Sequence, residues 1–410
     1  MSEHCKSRTS DTSAEQTGLA ALLPIMGAVF VAFLVIGMAM PVLPLHVHQG
    51  LGLGASVVGL VAGSQFAAAI LSRVWAGRQS DARGPKTAML AGLVIAAASG
   101  GLYLLSLSTA SQPIASVTIL LLGRLLLGIG ESFIIIGGQS WALAILTSRN
   151  TSKAIAWIGS AMFAAFAVGA PIGSALYGHF GFAGVGVTTV LLPLLTVLGV
   201  APLQGVAPIR REQDGFMKVM GSVLVPGLGA ALSSIGFGAI TAFSALLFVA
   251  HGWAAWPAFT VFAGGFILAR LFLAHLADRF VAPRVALLSV LLEAAGLALL
   301  AASPSLSAAL VGAALTGFGY SLVYPALGVE AVGRAPPQNR GLAIGAYTAF
   351  LDVALGFGTP ALGVLAERVG LGSAFVAGAF AALGTAAIAV FLVNKSQESA
   401  SSGACVTSSR

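Results

Sequence analysis

Charged residues are scarce in this chain: Asp, Glu, Lys and Arg make up 8% of its 410 residues, whereas 58% of the residues are hydrophobic. A soluble domain carries roughly a quarter charged residues. So few charges cannot cover a surface that faces water. The composition therefore excludes an ordinary soluble protein and indicates a chain that is solvated largely by lipid.

Long apolar segments take the place of the missing charges. A helix needs about 20 apolar residues to cross ~30 Å of hydrocarbon. About twelve segments of this kind follow one another: 22–47, 57–77, 86–108, 115–138, 153–177, 182–203, 222–249, 257–277, 284–303, 307–332, 340–366 and 370–393. We therefore expect an all-α integral membrane protein with about twelve transmembrane helices.

Several kinds of site are missing from the sequence. The two cysteines, Cys5 and Cys405, lie in polar tails, so no structural disulfide is expected. The six histidines are scattered, which argues against a metal site, and no cofactor is expected. The chain also has no G-x-x-x-x-G-K-[ST] loop, which argues against a pump driven by ATP. A membrane enzyme would need a clustered nucleophile or metal site, and none stands out.

The formal charge of +7 follows a topological pattern. With the N-terminus inside, all but four of the 20 Lys and Arg residues lie in predicted cytoplasmic segments. The exceptions are Arg368 in an outer loop and Arg73, Arg124 and Arg270 inside spans. This asymmetry predicts two cytoplasmic termini and makes a nucleic-acid partner unnecessary.

The chain contains an internal duplication. Arg73 lies eight residues before Asp81, and the same spacing recurs 197 residues later with Arg270 and Asp278. Pro171 and Pro360 repeat at an offset of 189. Many secondary transporters are built from duplicated halves. We expect a disordered tail (1–20), a six-helix half (21–203), a cytoplasmic linker (204–221), a second six-helix half (222–393) and a tail (394–410).

The polar loop 77–86 resembles the signature between the second and third helices of the major facilitator superfamily. Gly77, Asp81, Gly84 and Lys86 match that signature, but Ala82 replaces its usual arginine and Arg83 follows one place later. The second copy keeps Asp278 and Arg279. An Asp at a helix end beside cations can hold neighbouring helices together, so these residues predict a cytoplasmic gate. A plain topological charge cluster is the alternative.

Ionisable residues inside spans mark the predicted transport pathway. The segment with Arg124, Gly128, Gly130 and Glu131 resembles the arginine motif of proton-coupled members of the superfamily. Two further acids, Glu293 and Asp352, lie near the middle of other spans. Each acid can carry a proton, bind a cationic substrate or stabilise a polar contact between helices.

The fifth predicted span is similar to the antiporter motif of the superfamily. It carries Gly169, Pro171 and Gly173, although Ala170 replaces the expected glycine before the proline. The eleventh predicted span carries Pro360 in a related G-F-G-T-P-A-L-G segment. We expect these residues to let a pair of helices bend.

Residues 324–356, with the Gly-Glu-Ser of the fourth span, resemble the YfcJ/YhhS-type bacterial inner-membrane transporters, which are regarded as exporters. The resemblance covers about 22–393. It implies a monomeric transporter in the bacterial inner membrane that exports a small molecule in exchange for protons. The alternatives are a proton symporter that imports a sugar or organic acid and, from other classes, a channel, a receptor or a membrane enzyme.

Overall fold

A computed structural model describes residues 3–145, 151–207, 216–273, 282–334 and 340–407. Every regular element in these ranges is helical. The α-helices are α1 Glu3–Leu45, α2 Ala55–Arg83, α3 Pro85–Leu107, α4 Pro113–Ile145, α5 Thr151–Val200, α6 Phe216–Ala250, α7 Pro257–Leu273, α8 Ala282–Ala302, α9 Leu306–Gly333, α10 Arg340–Val353, α11 Thr359–Val369 and α12 Gly372–Thr407. Two π-helical turns, His46–Gly50 and Ala354–Gly358, follow α1 and α10.

Ten helical stretches of the described chain are long and apolar enough to cross a membrane. Helix α7 is apolar but shorter, and it ends where residues outside the described ranges begin. The apolar stretch Ile158–Val200 has 43 residues, which is about 65 Å of helix and twice the thickness of the hydrocarbon. The expected all-helical membrane fold is confirmed, whereas the number of twelve crossings stays a prediction.

Helix α5 changes direction at Gly181, whose φ of 61° and ψ of −161° are not helical. A positive φ is readily adopted by glycine alone, because other residues carry a Cβ that collides with the backbone. The residue therefore joins two helical segments, 151–180 and 182–200, without a loop. These segments correspond to the fifth and sixth spans that the sequence predicts.

The two ends of the chain extend beyond the apolar segments. Helix α1 begins at Glu3, although its apolar stretch begins at Leu22, and α12 continues past Asn394, where its apolar stretch ends. The expected disordered tails and the boundaries of the two halves stay predictions. Part of the expected linker, 208–215, lies outside the described ranges.

The helices pack in two groups. Helices α1 to α5 form the N-terminal group, and helices α6 to α12 form the C-terminal group. The groups meet where α2 packs on α10 and α11, where α5 packs on α7, and where α1 packs on α6. The duplication relates α2 to α7 through Arg73 and Arg270, and α5 to α11 through Pro171 and Pro360. The α2–α11 and α5–α7 interfaces are therefore equivalent positions in the two copies.

Glycine brings the helix backbones together at these interfaces. A Cβ on Gly63 of α2 would lie 2.6 Å from Cδ of Pro360, and one on Gly59 would lie 2.6 Å from the carbonyl oxygen of Thr359. Because lipid gives little apolar attraction between helices, close van der Waals packing of small residues stabilises the contact instead. We call this contact of α2 with α11 and with the π-helical turn before it the glycine seam (Gly59, Gly63, Gly356 and Gly363).

Candidate functional site

An ion pair between Arg73 and Asp352 joins the two helix groups. Nη2 of Arg73 donates a hydrogen bond of 3.0 Å to Oδ1 of Asp352, and the Nε atom faces the second carboxylate oxygen. The side chain of Asp352 is 5% exposed and that of Arg73 is 22% exposed. Arg73 lies on α2 and Asp352 on α10, so the pair spans the boundary between the groups.

The local sequence after Asp352 explains how α10 reaches α2. Pro360 has no N–H group, so the carbonyl of Gly356 cannot be bonded in the usual helical way. The chain forms a π-helical turn there, Ala354–Gly358, a feature that is often found at functional sites. Gly356 also lets this turn approach α2, since a Cβ on it would lie 3.0 Å from Cα of Ala67.

Glu131 lies beside this ion pair. Gln65 of α2, which is buried, donates its side-chain N–H to a carboxylate oxygen of Glu131 on α4. Glu131 is within electrostatic range of Arg73, Asp352 and Arg124. The structure thus brings together three of the predicted site residues and adds Arg73 and Gln65 to them.

Arg124 of α4 is buried beside α2. Its Nε–H donates a long hydrogen bond of 3.4 Å to the carbonyl oxygen of Val61, and its Nη1 has no acceptor among the described residues. The residue lines a small pocket that includes Phe66 and, from the C-terminal group, Thr241. Arg124 therefore faces the boundary between the groups.

The glycines around Arg124 and Glu131 set the packing of α4. Gly128 faces the backbone of Gln65 on α2 without a side chain between them. Gly130 faces α3, where a Cβ would lie 2.8 Å from the carbonyl oxygen of Gly92. These residues allow α4 to approach two neighbours at the depth of the charged cluster.

Glu293 does not join the cluster. Ser233 of α6 donates a hydrogen bond of 2.6 Å to its Oε2, and its Oε1 has no partner among the described residues. Glu293 is fully buried, between α6, α8 and α9, where Gly236 and Gly319 pack against it. This acid thus lies inside the C-terminal group.

The sequence interpretation placed Arg73 inside a span but gave it no role in the site. The signal was present: Arg73 and Arg270 are matching residues of the duplication, and each is an intramembrane cation. The sequence did not say which acid Arg73 meets, because Asp352 is 279 residues away along the chain.

The predicted loop 77–86 is helical instead: 77–83 end α2, 85–86 begin α3, and only Gly84 lies between them. Lys86 of α3 bonds the residues that follow α5. Nζ of Lys86 donates to the carbonyl oxygens of Ala201 and Leu203, at 2.7 and 2.5 Å. A cation suits this position because the last carbonyls of a helix carry partial negative charge. Lys86 thus connects helices within the N-terminal group.

The other residues of the predicted gate that the structure describes lie at this junction of α2 and α3. Gly84 has a φ of 91° and joins α2 to α3 in a single residue. Asp81 lines a small pocket with Pro85 and residues of α4, Arg83 is exposed, and a Cβ on Gly77 would meet no other atom within 4 Å. Asp278 and Arg279 lie outside the described residues. The gate stays a prediction.

The residues of the predicted bending motif pack at helix contacts. Gly169 and Gly173 face α1, and a Cβ on Gly169 would lie 2.9 Å from the carbonyl oxygen of Leu34. Pro171 lies within helical backbone, since the non-helical dihedral angles of α5 are at Gly181. Pro360 packs in the glycine seam. Bending at these sites stays a prediction.

Sequence comparisons identify the family. The sequence model of the Major Facilitator Superfamily matches residues 25–256 and 227–405, which together cover most of the chain. The chain belongs to the major facilitator superfamily. It is therefore a multi-pass membrane transport protein of this superfamily, as the loop 77–86 suggested.

Two bacterial relatives from this superfamily match nearly the whole chain. An uncharacterized MFS-type transporter of Salmonella typhimurium is 41% identical over 373 residues, which are 90% of this chain and 96% of the relative. One from Burkholderia pseudomallei is 38% identical over 384 residues, which are 93% of this chain and 94% of the relative.

Solved structures of superfamily transporters share the fold. The POT family transporter PepTSo matches with a TM-score of 0.73 at 13% identity, covering 92% of this chain and 98% of its own. The nucleoside transporter NupG matches with a TM-score of 0.70 at 14% identity, covering 90% and 99%. A human organic anion transporter (TETRAN) matches with a TM-score of 0.66 at 16% identity, covering 91% and 99%. One fold thus carries cargoes of different kinds.

Proposed function

We propose that the chain is a secondary active transporter that moves a small molecule across the bacterial inner membrane in exchange for protons. The observation that carries this proposal is the ion pair between Arg73 and Asp352, because it joins the two helix groups at the depth of Glu131. Intramembrane ionisable residues are costly and mark ion or substrate pathways by default.

Proton binding to Asp352 would weaken the contact between the groups. The ionised carboxylate attracts the guanidinium of Arg73, whereas a neutral carboxylic acid keeps only a weaker hydrogen bond. Losing the charge on Asp352 therefore frees α2 from α10 and allows the groups to rock. Glu131 is within electrostatic range of Arg73. When Asp352 is neutral, Glu131 would replace it as the counter-ion of Arg73.

The proton gradient supplies enough energy for such a cycle. One elementary charge that crosses 100 mV is worth ~2.3 kcal/mol. A transporter that returns one proton for each substrate molecule can therefore sustain a substantial gradient of substrate without ATP. This agrees with a chain that has no phosphate-binding loop of the ATPase type.

The conformation described above is closed at one end. The glycine seam continues to Glu367 of α11, whose carboxylate accepts a 2.8 Å hydrogen bond from the backbone N–H of Ser56 at the start of α2. The positive-inside pattern places this end on the outer side and the Lys86 loop in the cytoplasm, with both termini. We propose that the protein is closed to the outside in this conformation.

We also propose the following organisation. The two halves, 21–203 and 222–393, rock as units about the contacts of α2, α5 and α1, and the linker 204–221 connects them in the cytoplasm. One copy of the chain contains both halves and hence a complete pathway, so a monomer suffices. Gly169, Pro171, Gly173 and Pro360 would allow the bending that outward antiport requires.

The test uses purified protein in liposomes that enclose a pH-sensitive dye. Small sugars, organic acids and cationic drugs are each added on one side, and proton movement is recorded. For an antiporter, substrate added outside drives protons out of the lumen, whereas a symporter carries both inward. Flux of labelled substrate without proton movement would refute proton coupling.

The Asp352→Asn variant makes the test specific. We expect it to abolish substrate-driven proton movement while the protein still inserts in the membrane. Glu330→Gln is the matched control, because Glu330 near the end of α9 pairs with Arg334, the residue that follows this helix, and not with Arg73. Unchanged proton movement in Asp352→Asn would remove this residue from the coupling role.

A further inference from the structure

The interface equivalent to the Arg73–Asp352 contact lacks its acid. Arg270 of α7 is the counterpart of Arg73, as the offset of 197 shows. The offset of 189 that relates Pro171 to Pro360 relates Phe163 of α5 to Asp352. One copy of the interface thus holds an arginine and a carboxylate, and the other holds an arginine and a phenyl ring.

At the second interface, Phe163 and Arg270 both contact Phe266 of α7. The ring of Phe163 stacks on that of Phe266 of α7, with centroids 3.4 Å apart. The guanidinium carbon of Arg270 lies 5.3 Å from the centroid of Phe266. A Cβ on Gly159 of α5 would lie 3.6 Å from Nη1 of Arg270, so at this position of α5 the backbone, without a side chain, lies next to the guanidinium.

Arg270 has no anionic partner among the described residues. Its Nε is buried without a hydrogen-bond acceptor, and the groups within its electrostatic range are the hydroxyls of Tyr320 and Tyr324. Tyr324 is also within electrostatic range of Arg73 and Asp352, so this tyrosine lies between Arg270 and the ion pair in electrostatic terms.

The charges at this boundary do not balance. Among the described residues near this boundary, Arg73, Arg124 and Arg270 carry three positive charges, whereas Glu131 and Asp352 can carry two negative charges. Glu293 lies inside the C-terminal group and is bonded to Ser233. An unpaired guanidinium in a membrane interior is costly, so a bound anion would stabilise it.

We propose that Arg270 binds the anionic group of the transported substrate, and that this substrate is an organic anion with an apolar body and one carboxylate. This inference rests on the proposed transport function and adds the class of cargo. A guanidinium binds a carboxylate through two parallel hydrogen bonds. Phe163, Phe266 and the tyrosines would surround the apolar body, and the substrate carboxylate would occupy the place that Asp352 occupies at the equivalent interface.

Binding is tested on the full chain in detergent, with three ligands that share an apolar body. These are 1-naphthoate, the neutral 1-naphthamide and the cationic 1-naphthylmethylamine, and the readout is the rise of the unfolding midpoint with ligand concentration. We expect naphthoate to stabilise the protein saturably and the other two to have much smaller effects. Equal stabilisation by the amine, or none by naphthoate at millimolar concentration, would overturn the proposal.

Two variants test the role of Arg270. We expect Arg270→Gln to weaken naphthoate binding at least tenfold. Phe163→Asp places a carboxylate where the duplication lacks one, so it should pair with Arg270, raise the unfolding midpoint relative to Phe163→Leu and abolish naphthoate binding. If Arg270→Gln does not fold, Phe163→Asp with its Phe163→Leu comparison still decides the matter. Naphthoate binding of wild-type strength in Phe163→Asp would refute the assignment.

Failure of this proposal is distinguishable from failure of proton coupling. The binding assay needs no membrane and no proton gradient. If the protein binds naphthoate through Arg270 but moves no protons in liposomes, the anion site is supported and proton coupling is refuted. If it couples another compound to protons without binding naphthoate, proton coupling is supported and the anion site is refuted.

Discussion

At the scale of residues, the central contact of this protein is an ion pair that two helix groups share. Removing two charges from water is costly, and their attraction offsets this cost only when both are present and well bonded. Arg73 and Asp352 therefore depend on each other. This dependence lets a single proton on Asp352 alter a contact between whole helices.

A double-mutant cycle measures this dependence. We expect Arg73→Gln and Asp352→Asn to lower the stability of the purified protein by about 3–5 kcal/mol each, since each leaves an uncompensated buried charge. The double variant should be more stable than the sum of the two losses predicts. The measurement is the free energy of unfolding in detergent, and strictly additive losses would show that the two residues do not interact.

Residue identity alone did not separate the acids. Glu131, Glu293 and Asp352 all lie in apolar segments, so similar roles were predicted for the three residues. Packing distinguishes them, because Glu131 and Asp352 reach the boundary between the groups and Glu293 is enclosed by α6, α8 and α9. Arg270 was likewise visible as a cation inside a span, but only the packing of α5 against α7 showed that no acid among the described residues pairs with it.

At the scale of elements, glycine determines where helices of different groups can touch. Gly59 and Gly63 repeat every four residues and therefore face one side of α2, where α11 packs. Within the N-terminal group, small residues likewise join α1 to α5 at Gly169 and Gly173. Such contacts leave no side chain to interlock, so helices can separate there without repacking a core.

The glycine seam gives a test at this scale. Gly63→Ala would place a Cβ 2.6 Å from Cδ of Pro360 and should separate α2 from α11; overpacking of this kind costs about 1–3 kcal/mol. We expect Ser56→Cys to become more reactive toward a membrane-impermeant maleimide added outside, in a chain whose Cys5 and Cys405 are replaced by serine.

Gly101→Ala of α3 is the control for this experiment, because a Cβ there would meet no atom within 4 Å. Its labelling rate should equal that of the parent chain. A rate in Gly63→Ala that also equals the parent rate would mean that the seam does not hold this end closed.

At the scale of the whole molecule, alternating access requires that the groups separate at the end where Ser56 meets Glu367. Cross-linking Ser56→Cys to Glu367→Cys with a short reducible reagent should therefore stop flux of any compound that moves protons in the liposome assay. Reduction of the link should restore the flux. The physical reason is that α2 and α11 belong to different groups.

A second cross-link serves as control for the first. Thr109→Cys and Gln112→Cys lie in the turn between α3 and α4 of the N-terminal group, where the backbone N–H of Gln112 bonds the carbonyl of Thr109. A link across this turn should leave flux unchanged. Continued flux through the chain linked at residues 56 and 367 would contradict rocking of the groups.

The sequence by itself was enough to show that lipid surrounds most of the chain, that the fold is all-helical and that its two halves are related by duplication. Charge content and apolar length are sums over local residues, so they need no knowledge of neighbours in space. Asp352, Glu131 and Arg124 could be chosen because an ionisable residue in an apolar segment is conspicuous wherever it packs.

The tertiary structure decided which of these residues meet. Asp352 pairs with Arg73 across 279 positions, α5 turns at Gly181 without a loop, and Arg270 and Phe163 both pack on Phe266. These outcomes depend on which faces of separate helices come into contact. Glycine and proline positions restrict that choice, but only the packed bundle fixes it, because a charge becomes paired or unpaired through its neighbours in space.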